Sequence, residues 1–179
     1  MATGKRKIVG LIILTDLPGE GGLVAVLQRR GISNHEKNWE RESRPGGYQV
    51  TAHGGLKGNE GFLEALKREV KEELGDRFFD EISLPYWRFV DSLIVLVHDE
   101  NDPEREVLTY GIFLPNDVLK LIRLNPSTGG LRFISSGGVD SIVDLWGFDK
   151  IKGVEDSNIV AMFPDEIAAL KMAFKLTSH

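Results

Sequence analysis

The chain has no cysteine, which removes disulfide frameworks, thiol nucleophiles and thiolate metal sites together. No stretch approaches the 18 or so apolar residues of a membrane span. The run Ile8–Leu14 follows Lys5, Arg6 and Lys7, as an export signal would, but it is short, ends at Thr15 and Asp16 and lacks a small-residue cleavage site. A buried strand is the better reading, and a cytoplasmic location follows as the expectation. Positive charge is also scarce: 22 Lys and Arg stand against 27 Asp and Glu, giving a net charge of −5 and a pI near 5.4. This balance argues against a nucleic-acid polymer as partner, and a phosphate-bearing ligand would need a metal or a local basic patch. The four histidines, His35, His53, His98 and His179, show no ligand spacing, and no repeat or low-complexity linker breaks the chain.

What is present suits one enzyme domain spanning residues 1–179. Hydrophobic residues make up 41% and charged residues 27%, enough for one good core. Ile8–Leu14 and Leu23–Gln28 read as strands joined by a turn at 18–22, forming a hairpin. A polar stretch from Arg29 to Arg44 and a Pro45-Gly46-Gly47 turn lead to strand-like Tyr48–Ala52. Further strands are expected at Tyr86–Asp91, Leu93–His98 and Val107–Leu114, the last two as a second hairpin. A short helix is expected at Val118–Leu124 and a short strand at Leu131–Ile134; Asp140–Trp146 is ambiguous between helix and strand. Pro164, Asp165 and Glu166 open an amphipathic C-terminal helix. Strands on either side of one central helix, plus this last helix, predict an α/β/α sandwich around a mixed sheet.

Between the strand sets lies GGLKGNEGFLEALKREVKEELGD, residues 54–76. Asn59 is a good N-cap, Glu60–Leu74 contains no proline, and Gly75 suits the left-handed position that ends a helix. Leu63, Leu66, Val70 and Leu74 fall on one stripe, Glu69, Glu72 and Glu73 gather on its flank, and Glu64, Lys67 and Lys71 face away. Three carboxylates at i, i+3 and i+4 repel one another, and a hard divalent cation such as Mg²⁺ or Mn²⁺ is the most direct compensation. The plain alternative, a solvated acidic face, is the usual fate of such charge runs. Here the odds shift because Gly54, Gly55, Gly58 and Gly61 surround the helix start, where glycines allow a backbone to approach a ligand or metal.

The spacing G-x5-E-x7-R-E-U-x-E-E-x-G, with Gly54, Glu60, Arg68, Glu69, Val70, Glu72, Glu73 and Gly75, resembles the Nudix box. Eight of nine motif positions match, the departure being Asp76 in place of an aliphatic residue, and chance agreement is on the order of 10⁻⁹ per starting point. The resemblance implies the same α/β/α fold and hydrolysis of a nucleoside diphosphate linked to another group X, by water attack on phosphorus with Mg²⁺ or Mn²⁺. It implies Glu69, Glu72 and Glu73 as catalytic metal ligands, with a backbone carbonyl at Gly54 or Gly55 as a further ligand. Glu60 and Arg68 are implied as supports that tie loop to helix and orient those carboxylates. One of Glu69, Glu72 and Glu73, or a carboxylate outside the box, would accept the water's proton; the outside candidates are Glu104, Glu106, Glu155, Asp156 and Glu166, for each of which an ordinary surface acid is the commoner reading.

The substrate is less defined. Arg29 and Arg30 can meet phosphates, or simply end a strand. Trp39, Tyr48, Trp87 and Trp146 offer faces for a base, although core or interface packing is the commoner use of such residues. His53 can touch substrate or cap the loop. No proline or tyrosine marks the position about sixteen residues past the box that distinguishes some subfamilies; Asp91, Ser92 and Leu93 stand there. The lead-in YQVTAHGG is similar to that of some nucleoside triphosphate pyrophosphohydrolases, but Ala52 and His53 replace the usual Pro-Gly before Gly54. The partner implied is a small-molecule nucleotide with no membrane; a homodimer is compatible with the fold family and demanded by no feature of this chain. Two other classes share the fold: a Nudix module that binds nucleotide without turnover, disfavoured by the intact carboxylates, and an isopentenyl diphosphate isomerase relative, disfavoured by the missing cysteine.

Overall fold

A computed structural model describes residues 5–35, 38–84, 89–148, 156 and 158–177. In chain order the elements are β1 (Arg6–Leu17), β2 (Gly22–Arg30), β3 (Ser33–Asn34), β4 (Glu40–Arg41), β5 (Tyr48–Gln49), β6 (Ala52–Gly55), α1 (Phe62–Leu74) and α2 (Asp76–Ile82). Then follow β7 (Ile94–Asp99), β8 (Arg105–Phe113), β9 (Thr128–Ser135), α3 (Ser136–Val139), β10 (Val143–Asp144), α4 (Leu145–Phe148), β11 (Ala161–Met162) and α5 (Pro164–Thr177). Single 3₁₀ turns occupy Pro18–Glu20 and Val118–Leu121.

The main sheet is mixed. It has seven strands, with the path β5-β2-β1-β8-β7 and with β6 added to β1 and β9 to β2. β1 runs parallel to β8 and antiparallel to β2 and β6. Its apolar run is buried on both faces: Val9, Leu11 and Ile13 pack with Leu66, Val70 and Leu74 of α1 and Phe78 and Ile82 of α2, while Ile12 and Leu14 pack with Leu170, Ala173 and Phe174 of α5. Helices therefore cover both sides, the α/β/α arrangement expected from the sequence.

One edge of β1 has two successive partners, and this fork positions the site. β6 pairs with Ile8–Leu11, and β2 takes over from Ile13. Thr51 sits in the fork, its hydroxyl accepting the Ile13 N–H at 2.9 Å and donating to the Val26 carbonyl at 2.5 Å. The expected strand Tyr48–Ala52 is thus two strands: Tyr48–Gln49 pairs with β2, and Ala52–Gly55 crosses to β1. From there the backbone runs directly into the glycine-rich loop before α1.

Several boundaries differ from expectation. Asn59 is not the N-cap; Gly61 is, and Glu64 accepts its N–H at 3.0 Å, so Glu60 stays in the loop, where it is held by Arg68. Leu63 is 37% exposed, and Ala65 takes its place on the buried stripe. Gly75 has the positive φ of 94° expected of glycine, but its ψ of 151° is extended and carries the chain straight into α2, an element with no strong periodic signal. Val118–Leu124 yields one 3₁₀ turn, and Asp140–Trp146 divides into β10 and the start of α4. Phe89–Asp91 forms turns where a strand was expected; Tyr86 and Trp87, like Glu155, fall outside the described residues.

Candidate active site

The loop–helix junction is built around Arg68. Its Nε and Nη2 donate to the two Glu60 carboxylate oxygens at 2.8 and 3.0 Å, and Nη2 also reaches the Gly55 carbonyl at 2.9 Å. Nη1 donates to Glu69 at 2.6 Å and to Glu72 at 3.1 Å. The fork of a guanidinium can make these contacts together, as a point charge cannot. Glu60 in turn accepts the Lys57 N–H at 2.8 Å. The hydrogen bonds from Arg68, then that from Lys57, hold its carboxyl down at about 2. A residue two turns away along the sequence thereby ties the loop to the helix.

Glu69 is 7% exposed, and burial pushes its pKa up against the opposing pull of Arg68. Its carboxylate lies against Gly54 so closely that a Cβ built there would overlap it. Only glycine allows this approach of backbone to carboxylate. Glu73 accepts the His53 N–H at 2.9 Å, which fixes β6 to the last turn of α1. Glu72 is more exposed and contacts Arg68 and, at 3.4 Å, Lys57.

Gly54, Glu69 and Glu73 open onto a cleft of about 620 Å³, whose lining also includes His53, Arg30, Trp146 and Glu166. Glu72, Arg29 and Trp39 are not among the lining residues: Glu72 stands beside Arg68, Arg29 reaches the Gly46 carbonyl at 3.5 Å, and Trp39 is 61% exposed. Tyr48 is buried in the core. The His53 imidazole is held neutral, its pKa lowered to about 3 first by desolvation and then by the charges of Arg30, Arg6 and Arg105. Arg6 and Arg105 also line the cleft, and nothing in the local sequence distinguishes them from other surface cations.

Of the outside acids, Glu104 and Asp156 are exposed, and Glu106 pairs with Lys7 at 3.2 Å. His98, Glu100 and Glu106 cluster on the β7–β8 hairpin, outside the cleft lining. Glu166 is different. It is 3% exposed, lines the cleft, and accepts the Phe163 and Val50 N–H groups, each at 3.3 Å. Burial pushes its pKa up to about 7, with Arg30 opposing.

That shift has a stability consequence. Between the ordinary 4.5 and about 7 the folded chain holds a proton the unfolded chain has released, so stability falls as pH rises through this window. The full drop is about 3 kcal/mol for such a shift. Glu166→Gln, which mimics the protonated form, is expected to flatten that descent between pH 5 and 8, measured by urea midpoints; parallel profiles for the two proteins would refute it. His53 contributes with the opposite sign but equally in both.

Comparison with known proteins agrees with this architecture. No protein-family model matches the sequence, and no curated protein sequence does. Among solved structures, a mutT/nudix family protein from Listeria innocua superposes with a TM-score of 0.61 at 17% identity, covering 97% of this chain and 94% of that one. The Nudix domain of Shewanella oneidensis NrtR, solved with ADP ribose, gives 0.55 at 11% identity over 98% and 90%. A C. elegans Ap4A hydrolase binary complex gives 0.51 at 14% identity over 96% of each chain. The chain therefore has the Nudix hydrolase fold.

Proposed function

We propose that this protein hydrolyses a diphosphate linkage in a nucleoside diphosphate linked to X, in a reaction that depends on Mg²⁺ or Mn²⁺. The observation that carries this reading is the meeting of Glu69 and Glu73 with the Gly54 backbone of β6 at the wall of one cleft. The donor set fits a hard divalent cation: two carboxylates, one nearly buried and otherwise offset only in part by Arg68, beside backbone carbonyl positions at Gly54. Glu69, Glu72, Glu73 and Gly54 are the residues assigned to it. Such an ion, when bound, offsets phosphate charge and lowers the pKa of water.

The chain's own groups do the rest. Arg68 keeps Glu69 and Glu72 oriented from behind, and Glu60 holds Arg68. Lys57, Arg6 and Arg105 bring positive charge to the cleft wall in an otherwise acidic protein, as a polyphosphate ligand requires. Water oxygen bonds to one phosphorus, the bridging P–O bond breaks, and a cleft carboxylate accepts the water's proton. Trp146 lines the cleft, where its face can meet the nucleotide's ring.

The test is product release from nucleoside triphosphates, ADP-ribose, nucleotide sugars and dinucleoside polyphosphates with Mg²⁺, Mn²⁺ or EDTA. Turnover of at least one class that EDTA abolishes is expected. Binding without turnover of any compound would overturn the hydrolase reading in favour of a nucleotide-binding module.

A further inference from the structure

Gln28 and Arg30 are two apart on β2, so their side chains leave the same face of the strand, and both line the cleft that holds Glu69 and Glu73. Gln28 is 3% exposed. Its cross-strand neighbour Gln49 donates Nε2 to Gln28 Oε1 at 2.7 Å, which fixes the amide with its oxygen toward Gln49. Gln28 Nε2 has no hydrogen-bond partner among the described residues, and neither has the buried Nε of Arg30. Buried polar groups without partners are rare in folded proteins and point to a missing acceptor.

The character of that acceptor can be narrowed. Arg30 Nη1 lies 3.6 Å from Glu42, whose carboxylate offsets its charge, so Arg30 is a poor partner for a phosphate. A neutral carbonyl oxygen fits better. The neighbouring wall is aromatic: the Trp146 and Phe163 rings stand 5.1 Å apart, and the Arg30 guanidinium lies 5.6 Å from the Phe163 ring centre. A flat ring bearing a carbonyl oxygen satisfies both walls.

We propose that Gln28 and Arg30 form a base-reading subsite selecting nucleobases with an oxo group at purine C6 or pyrimidine C4, such as guanine, hypoxanthine or uracil, over adenine and cytosine, which carry an amino group at that position. The inference rests on the reading above that the ligand is a nucleotide. An exocyclic amino group at this edge would bring a donor against two donors, leaving Gln28 Nε2 and Arg30 Nε unpaired, which is how polar sites reject an analogue.

The test is calorimetric binding of GDP, IDP, UDP, ADP and CDP with Mg²⁺, with inorganic pyrophosphate as control. GDP, IDP and UDP are expected to bind about tenfold or more tighter than ADP and CDP. Gln28→Met should bring that ratio to within roughly threefold while pyrophosphate binding stays unchanged. Arg30→Lys, which keeps the charge and removes Nε, should level the ratio too, and serves if Gln28→Met fails to fold by thermal melt. Equal or tighter binding of ADP or CDP, no binding of any diphosphate, or a preference that survives both substitutions would overturn the proposal. Metal-dependent turnover without base preference would refute this subsite and leave the hydrolase reading standing. Base-selective binding without turnover would do the reverse.

Discussion

Glu73→Gln is expected to lower metal-dependent turnover on the order of 10²–10³-fold, the scale seen when one charge-stabilising group is removed from a site. The amide retains an oxygen that can accept the His53 N–H, now at 2.9 Å from the carboxylate, so β6 stays attached to α1. Stability should therefore change by no more than about 1 kcal/mol, the net worth of one hydrogen bond. Steady-state rates at saturating Mg²⁺, with urea midpoints on the same preparations, separate the two effects. Full activity in the variant would remove Glu73 from the reaction, and loss of fold together with activity would recast it as a structural tie.

The second large effect belongs to Arg68. Arg68→Ala strips hydrogen bonds from Glu60, Glu69, Glu72 and the Gly55 carbonyl at once, and leaves the nearly buried Glu69 without its cation. Removing one partner of a largely buried ion pair costs about 3–5 kcal/mol; with the Arg68 side chain 19% exposed, water offsets part of this and the lower end is expected. Turnover should fall as well, because the loop and Glu69 lose their orientation. Arg68→Lys should recover little of either, since one ammonium cannot span four acceptors in a planar fork. An unchanged melting temperature in Arg68→Ala would contradict the supporting role.

The residues that carry this account differ in how far the sequence revealed them. The core of the box could be read from spacing because Arg68, Glu69, Glu72 and Glu73 all sit on one helix, where position along the chain fixes position in space. Glu60 shows the limit: it lies in the loop rather than in the helix, because its carboxylate is drawn to Arg68 and the Lys57 N–H, a tertiary contact that no propensity records. The break between Tyr48–Gln49 and Ala52–Gly55 depends on β1 having two partners along one edge. α2 was hidden by its seven-residue length, too short for a periodic signal.

Burial explains the remaining differences. Glu166 looked like any outside acid, and only the packing of α5 against the cleft sets it apart from Glu104 and Asp156. Arg29 and Arg30 are adjacent, yet strand alternation sends Arg30 to the cleft and Arg29 to the Gly46 carbonyl. Gln28 follows Val24 and Val26 on one face of β2 ahead of Arg30, and its meaning depends on Gln49 across the strand.

The most direct test of the central assignment is calorimetric titration of Mn²⁺ into the wild-type protein and into Glu69→Gln/Glu73→Gln, without nucleotide. Saturable binding in the wild type, weakened by about 100-fold or lost in the double variant, is the predicted result. Equal Mn²⁺ affinity in the two proteins would show that the carboxylates beside Gly54 do not hold the metal.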